Sequence, residues 1–152
     1  RARLYASRMS SDETPSTPEA MLERLHQRIK TSGFTQILAA TPLRCWQGES
    51  ELVIELAPHL TQHHGFAHGG VIGAAADNAC AWAAASVAGD VVTSSYTLHF
   101  LGPALGDRLR AKGRVIRAGK RQVTAAADVF AEKAGESKLI ATALATIAKV
   151  ER

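Results

Sequence analysis

The sequence predicts an α+β domain in which one long apolar helix is wrapped by a curved antiparallel sheet. Three observations carry that expectation. From Val71 to Ala88 the chain is Ala-rich and broken only by Gly73, Asp77, Asn78 and Ser86, which suits a helix buried on most sides. Two strand-like segments precede it and four follow it. The turns between the later strands are short, so neighbours are expected to pair as antiparallel hairpins.

Taken in order, residues 1–17 mix Arg, Ser, Thr, Asp, Glu and Pro without periodic apolar spacing and read as a flexible tail. Met9-Ser10-Ser11 could serve as a natural start, in which case Arg1 to Arg8 would be an upstream extension or an added remnant, and no apolar stretch marks a secretory signal. Residues 18–152 form the single domain. Thr17-Pro18-Glu19 supplies a helix start, Leu22, Leu25 and Ile29 follow at helical spacing, and Gly33 is placed to end the helix. Strands are expected at about Gln36 to Trp46 and at Glu51 to Ala57. After the apolar helix come Val91 to Phe100, Arg108 to Arg117, Gln122 to Ala131 and Lys138 to Val150, separated at Gly102-Pro103, Gly119-Lys120 and Gly135. A membrane span is the competing reading of Val71 to Ala88, opposed by the adjacent Asp77 and Asn78 near its centre.

Composition excludes several classes. The chain has 152 residues, 46% apolar and 21% charged, enough for one buried core and too apolar for disorder. Two cysteines, Cys45 and Cys80, cannot build a disulfide scaffold or a four-cysteine zinc site, which points to a reducing, cytoplasmic setting. The net charge of +4 is too small for bulk nucleic-acid binding. Its placement is more informative: Arg108, Arg110, Lys112, Arg114, Arg117, Lys120 and Arg121 run without an intervening acid. The first four alternate with small or apolar residues and suit the solvated face of a strand. Arg117, Lys120 and Arg121 cluster at a hairpin turn and could hold phosphates. No aromatic residue interleaves the strip for base stacking.

The segment from Gln62 through His68-Gly69-Gly70 into the apolar helix carries the chemistry. Glycines at a helix entrance let a ligand approach free backbone N–H groups, where the helix dipole adds positive potential. Such a terminus suits an anion or a carbonyl oxygen becoming one, although tight packing alone would also use Gly69 and Gly70. Asp77 needs an explanation, because an unpaired buried carboxylate costs several kcal/mol. Either it is structurally paired or it faces a cleft and reacts. Gly69 and Asp77 are separated by a helical rise of about 12 Å, too far to act together on one carbonyl. If both serve one substrate, they come from two copies of the chain.

These residues resemble a known family. His68-Gly69-Gly70, Asp77 eight residues after Gly69 in an apolar helix, and the strand from Thr93 to Pro103 with Gly106-Asp107 after it are similar to the hotdog-fold acyl-CoA thioesterases of the phenylacetate-degradation (PaaI-like) type. The resemblance spans about Phe34 to Ile147. It implies a hotdog fold, active sites between subunits, and a homodimer that can pair again into a homotetramer. It further implies that the Gly69 N–H polarises the thioester carbonyl, with His68 and Gly70 shaping the turn, and that Asp77 acts as nucleophile or as base for water. Gln62 stands where related enzymes often carry Asn. Thr93 matches a water-holding hydroxyl, with Ser94 and Ser95 as neighbours able to substitute.

Other features have plainer readings. His59, His63, His64 and His68 are spaced like ligand pairs, but Pro58 and Gly65 break any helix there, and no metal is expected. Cys80 lacks an activating partner close in sequence. Trp46 and Trp82 suit a core or an interface, and Trp82 could also border an acyl pocket.

The sequence thus points to hydrolysis of acyl-CoA to free acid and coenzyme A, with no cofactor beyond the coenzyme A of the substrate, and with neither membrane nor nucleic acid as partner. The alternatives are an enoyl or hydroxyacyl thioester hydratase or dehydratase, pairing His68 with Asp77, and a non-catalytic acyl-CoA-binding module. Aryl-acetyl, benzoyl-like and medium-chain acyl groups all remain open.

Overall fold

The structure is a computed structural model that describes residues 15–150. Most of the tail expected over residues 1–17 therefore lies outside the described residues. Helix α1 (Pro18–Ile29) starts as its sequence directs: Thr17 Oγ1 accepts from the Ala20 N–H at 3.2 Å, and Pro18 occupies the first helical position. Met21 and Leu25 are buried, with Leu22 and Ile29 half-buried beside them.

A strand from Gln36 is not found. A short helix α2 (Gly33–Ile37) begins at Gly33, the residue expected to end α1, and β1 (Thr41–Trp46) starts only afterwards. Ser32 stands before α2, with its hydroxyl 2.8 Å from that of Thr35, and Ala39 at φ 50° turns the chain into the strand. Strand β2 (Glu49–Glu55) pairs with β1.

Helix α3 (Gly69–Ala88) contains the expected apolar segment and begins two residues earlier than its composition suggested. By length and composition it could cross a membrane, yet two-thirds of it is buried inside the domain. Ala75, Ala76, Ala79, Ala83 and Ala84 are fully covered. Small side chains let the sheet approach closely: a Cβ at Gly113 would collide with the Ala79 carbonyl. That carbonyl accepts a second bond from Ser50 Oγ at 2.6 Å. Gly89 ends α3 at φ 78°. Arg24 and Arg28 of α1 then pair with Asp90.

Four long strands follow: β3 (Val91–Phe100), β4 (Arg108–Ala118), β5 (Gln122–Lys133) and β6 (Glu136–Lys149). All six strands form one antiparallel sheet in the order β1-β2-β4-β5-β6-β3. The predicted α+β architecture is therefore present. One expected hairpin is not, because β3 pairs with β6 instead of β4. The connection over residues 101–107 spans three strand spacings, about 14 Å, within the reach of about 23 Å for seven extended residues. A short loop therefore did not require adjacency. Gly106 permits the crossing, since a Cβ there would lie 2.6 Å from the Glu132 carbonyl. On the way the Ala104 carbonyl accepts from the Ala67 N–H at 3.1 Å, pinning the crossing against the entrance of α3.

Candidate active site

The entrance of α3 is built from local chemistry. The chain reaches it through a small antiparallel loop in which His68 N–H donates to Leu60 O, Gln62 N–H to Phe66 O, and Thr61 bridges Ala67. His68 is the N-cap, with φ −63° and ψ 139°. Its Nδ1 accepts from the Gly70 N–H at 2.9 Å, and its carbonyl accepts from Val71 and Ile72. Those bonds satisfy the first-turn donors at 70, 71 and 72, while the Gly69 N–H has no partner among the described residues. Of the two glycines, Gly69 therefore offers the free donor. The Gly70 N–H is already occupied.

Asp77 lies two turns further along. It is half-buried, and Thr93 Oγ1 donates to its Oδ1 at 2.7 Å. The expectation that this carboxylate is either paired or reactive thus resolves locally into a braced, partly accessible group. Thr93 provides the brace; Ser94 and Ser95 are exposed. A bulge between Thr93 and Ser95 shifts the register, and Ser95 pairs with Thr146, on the face opposite buried Ala145 and Ile147.

The bulge has a second effect. It keeps Thr93, Tyr96, Leu98 and Phe100 all on the side of β3 that faces α3. A Cβ at Gly73 would lie 3.0 Å from Tyr96 Oη, and one at Gly69 would lie 3.2 Å from Phe100 Cζ. Gly69, Gly73 and Asp77 repeat every four residues along one helix face, and Phe100, Tyr96 and Thr93 stand opposite them. β3 is the last strand of the sheet, so this slot is open sideways and leaves Tyr96 and Phe100 43% and 58% exposed. Neither aromatic stood out in the sequence, because the bulge that turns them toward the helix leaves no compositional trace.

The remaining candidates fall elsewhere. Gln62 Oε1 accepts from the His64 N–H at 2.8 Å, so its amide oxygen holds the loop before the helix. Trp82 is buried in the core, where its carbonyl accepts from Cys45 Sγ at 3.3 Å. Burial pushes the Cys45 thiol up to about 11 and the Cys80 thiol to about 12, the latter helped by the Asp77 charge. Among the described residues, no three His, Cys, Asp or Glu side chains gather as a metal site.

The basic strip divides. Arg110 pairs with Glu51 and Glu132, Arg108 with Glu132, and Arg114 with Asp128, so acids from β2 and β5 answer the cations of β4. Arg117, Lys120 and Arg121 instead line a shallow depression of about 390 Å³ with Gly119, Gln122 and Thr124. Cross-strand register runs Thr93, Ile147, Val123, Ala118, which sets this hairpin at the Asp77 end of the sheet. Arg117 pairs with Thr124, on the face opposite buried Val123 and Ala125. The cations and Asp77 thus share an end of the sheet, while Arg117 lies on the opposite face.

Known proteins share the fold. A profile of the thioesterase superfamily matches residues 64–138, spanning the helix entrance and Asp77. A thioesterase family protein from Silicibacter pomeroyi is 30% identical, with a TM-score of 0.81 over 86% of this chain and 99% of that one. A mutant of the phenylacetic acid degradation protein PaaI from Thermus thermophilus is 28% identical, with a TM-score of 0.68 over 77% of this chain and 98% of that one. The PaaI protein of the E. coli phenylacetic acid degradation operon shares the fold at 21% identity, with a TM-score of 0.81 over 90% of this chain and 97% of that one. None of the curated proteins compared with the chain matches it at a significant level. A helix entrance matched by the superfamily profile, and a relative of this identity aligned over almost its whole length, place the chain in the thioesterase superfamily, as a PaaI-like protein of hotdog fold.

Proposed function

We propose that the protein hydrolyses acyl-CoA to a free carboxylic acid and coenzyme A, at sites formed between two copies of the chain. One observation carries this reading: a partnerless N–H at Gly69 and a hydroxyl-braced carboxylate at Asp77 lie on one face of α3, two turns apart. The Gly69 N–H of one copy polarises the thioester carbonyl, and the dipole of α3 adds to the pull. Asp77 of the other copy either attacks the carbonyl carbon, giving an anhydride that water opens, or takes a proton from an attacking water. In both routes the C–S bond breaks and coenzyme A leaves as a thiolate, which is stable enough to need no dedicated acid. Fixed dipoles and a carboxylate suffice for this chemistry, so the protein requires no cofactor beyond the substrate's own coenzyme A.

Three further observations support the assembly and the substrate. Among the described residues the outer edge of β3 is unpaired, and Val92, Phe100 and Leu101 on or beside it are exposed, as suits a strand that continues into a second chain. Arg117, Lys120 and Arg121 offer phosphate ligands at the Asp77 end of the sheet. The two unpaired thiols suit a reducing, cytoplasmic setting. Against a hydratase pairing His68 with Asp77 stands the engagement of His68 Nδ1 by the Gly70 N–H. A binding module would have no use for the braced carboxylate.

The test is release of free thiol from aryl-acetyl, benzoyl and medium-chain acyl-CoAs by the wild type and by Asp77→Ala, with oligomeric state measured by light scattering. Release by the wild-type dimer or tetramer and its loss in a folded Asp77→Ala variant are expected. A fully active monomer would overturn the shared site.

A further inference from the structure

The spacing of Gly69 and Asp77 fixes more than the need for two copies. In a twofold dimer where each Gly69 meets the other chain's Asp77, the two α3 helices pass antiparallel, and the axis crosses them midway between those residues. The midpoint is Gly73, four residues from each. Opposite Gly73 on β3 stands Tyr96, between Thr93 at the Asp77 level and Phe100 at the Gly69 level. The two reaction centres then lie about 12 Å apart along the helices, each about 6 Å from the level of Tyr96.

We infer that Tyr96 is a specificity-determining residue: paired with its own copy across the twofold axis, it closes the acyl pockets of both sites and limits the length of acyl group they accept. This deepens the proposed hydrolase and rests on that reading. Tyr96 is 43% exposed in the single chain, and its hydroxyl has no partner among the described residues, so its ring and its donor are both available at the axis. Gly73 is the seat that lets the ring lie against α3, because any side chain there meets Tyr96 Oη. The ligand class that fits is a compact acyl group reaching about 6 Å beyond the reacting carbonyl; a longer chain pointing toward the axis meets the tyrosine pair.

The experiment compares kcat/KM over a straight-chain series from acetyl- to decanoyl-CoA for the wild type, Tyr96→Phe, Tyr96→Ala and Tyr96→Val. The wild type is expected to fall off beyond hexanoyl. Tyr96→Phe keeps the wall and should keep the profile. Tyr96→Ala should raise the ratio of decanoyl to butyryl activity about tenfold, the worth of two newly buried methylenes, and Tyr96→Val carries the same comparison should the alanine variant fail to fold. A separate readout needs no substrate: Tyr96→Cys, oxidised under native conditions, should give a covalent dimer through a residue lying on the axis. The native Cys45 and Cys80 are buried and do not compete. Thiol release with an unchanged length ratio in the alanine and valine variants overturns this inference alone, as does a Tyr96→Cys dimer that does not cross-link. No thiol release from any acyl-CoA overturns the hydrolase reading and this inference with it.

Discussion

The hydroxyl of Thr93 donates to Oδ1 of Asp77 at 2.7 Å, binding the first residues of the edge strand to the third turn of the apolar helix. The bond occupies one carboxylate oxygen and holds the plane of the other. A side chain that attacks carbon or relays a proton gains from such restraint, since misplacement by an ångström is costly.

Removing the carboxylate should abolish turnover without harming the fold. Asp77→Asn keeps the shape and an acceptor for Thr93 but loses the negative charge, and kcat should fall about 10²- to 10⁴-fold. Circular dichroism and light scattering should match the wild type, because Asp77 is half-buried and its bond to Thr93 is its only hydrogen bond among the described residues.

Thr93→Val keeps volume and branching but deletes the donor. A hydrogen bond to a charged group contributes about 1.5 to 3 kcal/mol, so kcat should drop about 10- to 100-fold, and Thr93→Ser should restore most of it. A drop that serine does not rescue would assign Thr93 a packing role instead.

The outer face of the sheet makes a prediction about pH. Arg110, through a direct hydrogen bond, holds the Glu132 carboxyl below its usual range, and Arg108 adds to the effect. A carboxylate depressed in the folded state stabilises above its unfolded pKa, about 4.3, and that stability is lost as pH falls through the lower folded value. Glu132→Gln should therefore cost about 2 kcal/mol at neutral pH and cost progressively less below about pH 4, measured by urea unfolding.

The thiols should be silent in the native protein. With Cys45 pushed up to about 11 and Cys80 to about 12, neither is a thiolate at pH 8, and both are buried. Iodoacetamide should modify neither cysteine in buffer and both in denaturant, as counted by intact mass. Rapid native labelling of Cys80 would reopen a nucleophilic role for it.

How far the sequence could be read depended on whether a feature is local. The apolar run of α3, its glycine entrance and the lone Asp77 are written in neighbouring residues, and all three are found. The order of the strands is not local: a seven-residue link can bridge three strand spacings as easily as it can turn a hairpin, so β3 and β4 were wrongly expected to pair. Nor is the bulge after Thr93, which alone decides that Tyr96 faces α3. The acids that answer Arg108, Arg110 and Arg114 also sit on other strands, so three of the seven cations in a run without acids in sequence are paired in space.

The proposed carbonyl-polarising role of Gly69 can be tested by removing one hydrogen atom. Gly69 is the first residue of α3, where the backbone N–H makes no helical bond and proline is well tolerated. His68, at φ −63° and ψ 139°, already has the extended conformation that a following proline demands. Gly69→Pro should therefore fold and keep α3 while losing the free donor. Gly69→Ala is the matched control, since both variants place a Cβ near Phe100, whose ring is half-exposed and can yield. Deleting one oxyanion donor costs about 10²- to 10³-fold in kcat, and that gap should separate the proline from the alanine variant. Equal activity in the two would show that the N–H does not act on the substrate, and would move carbonyl polarisation away from the helix entrance.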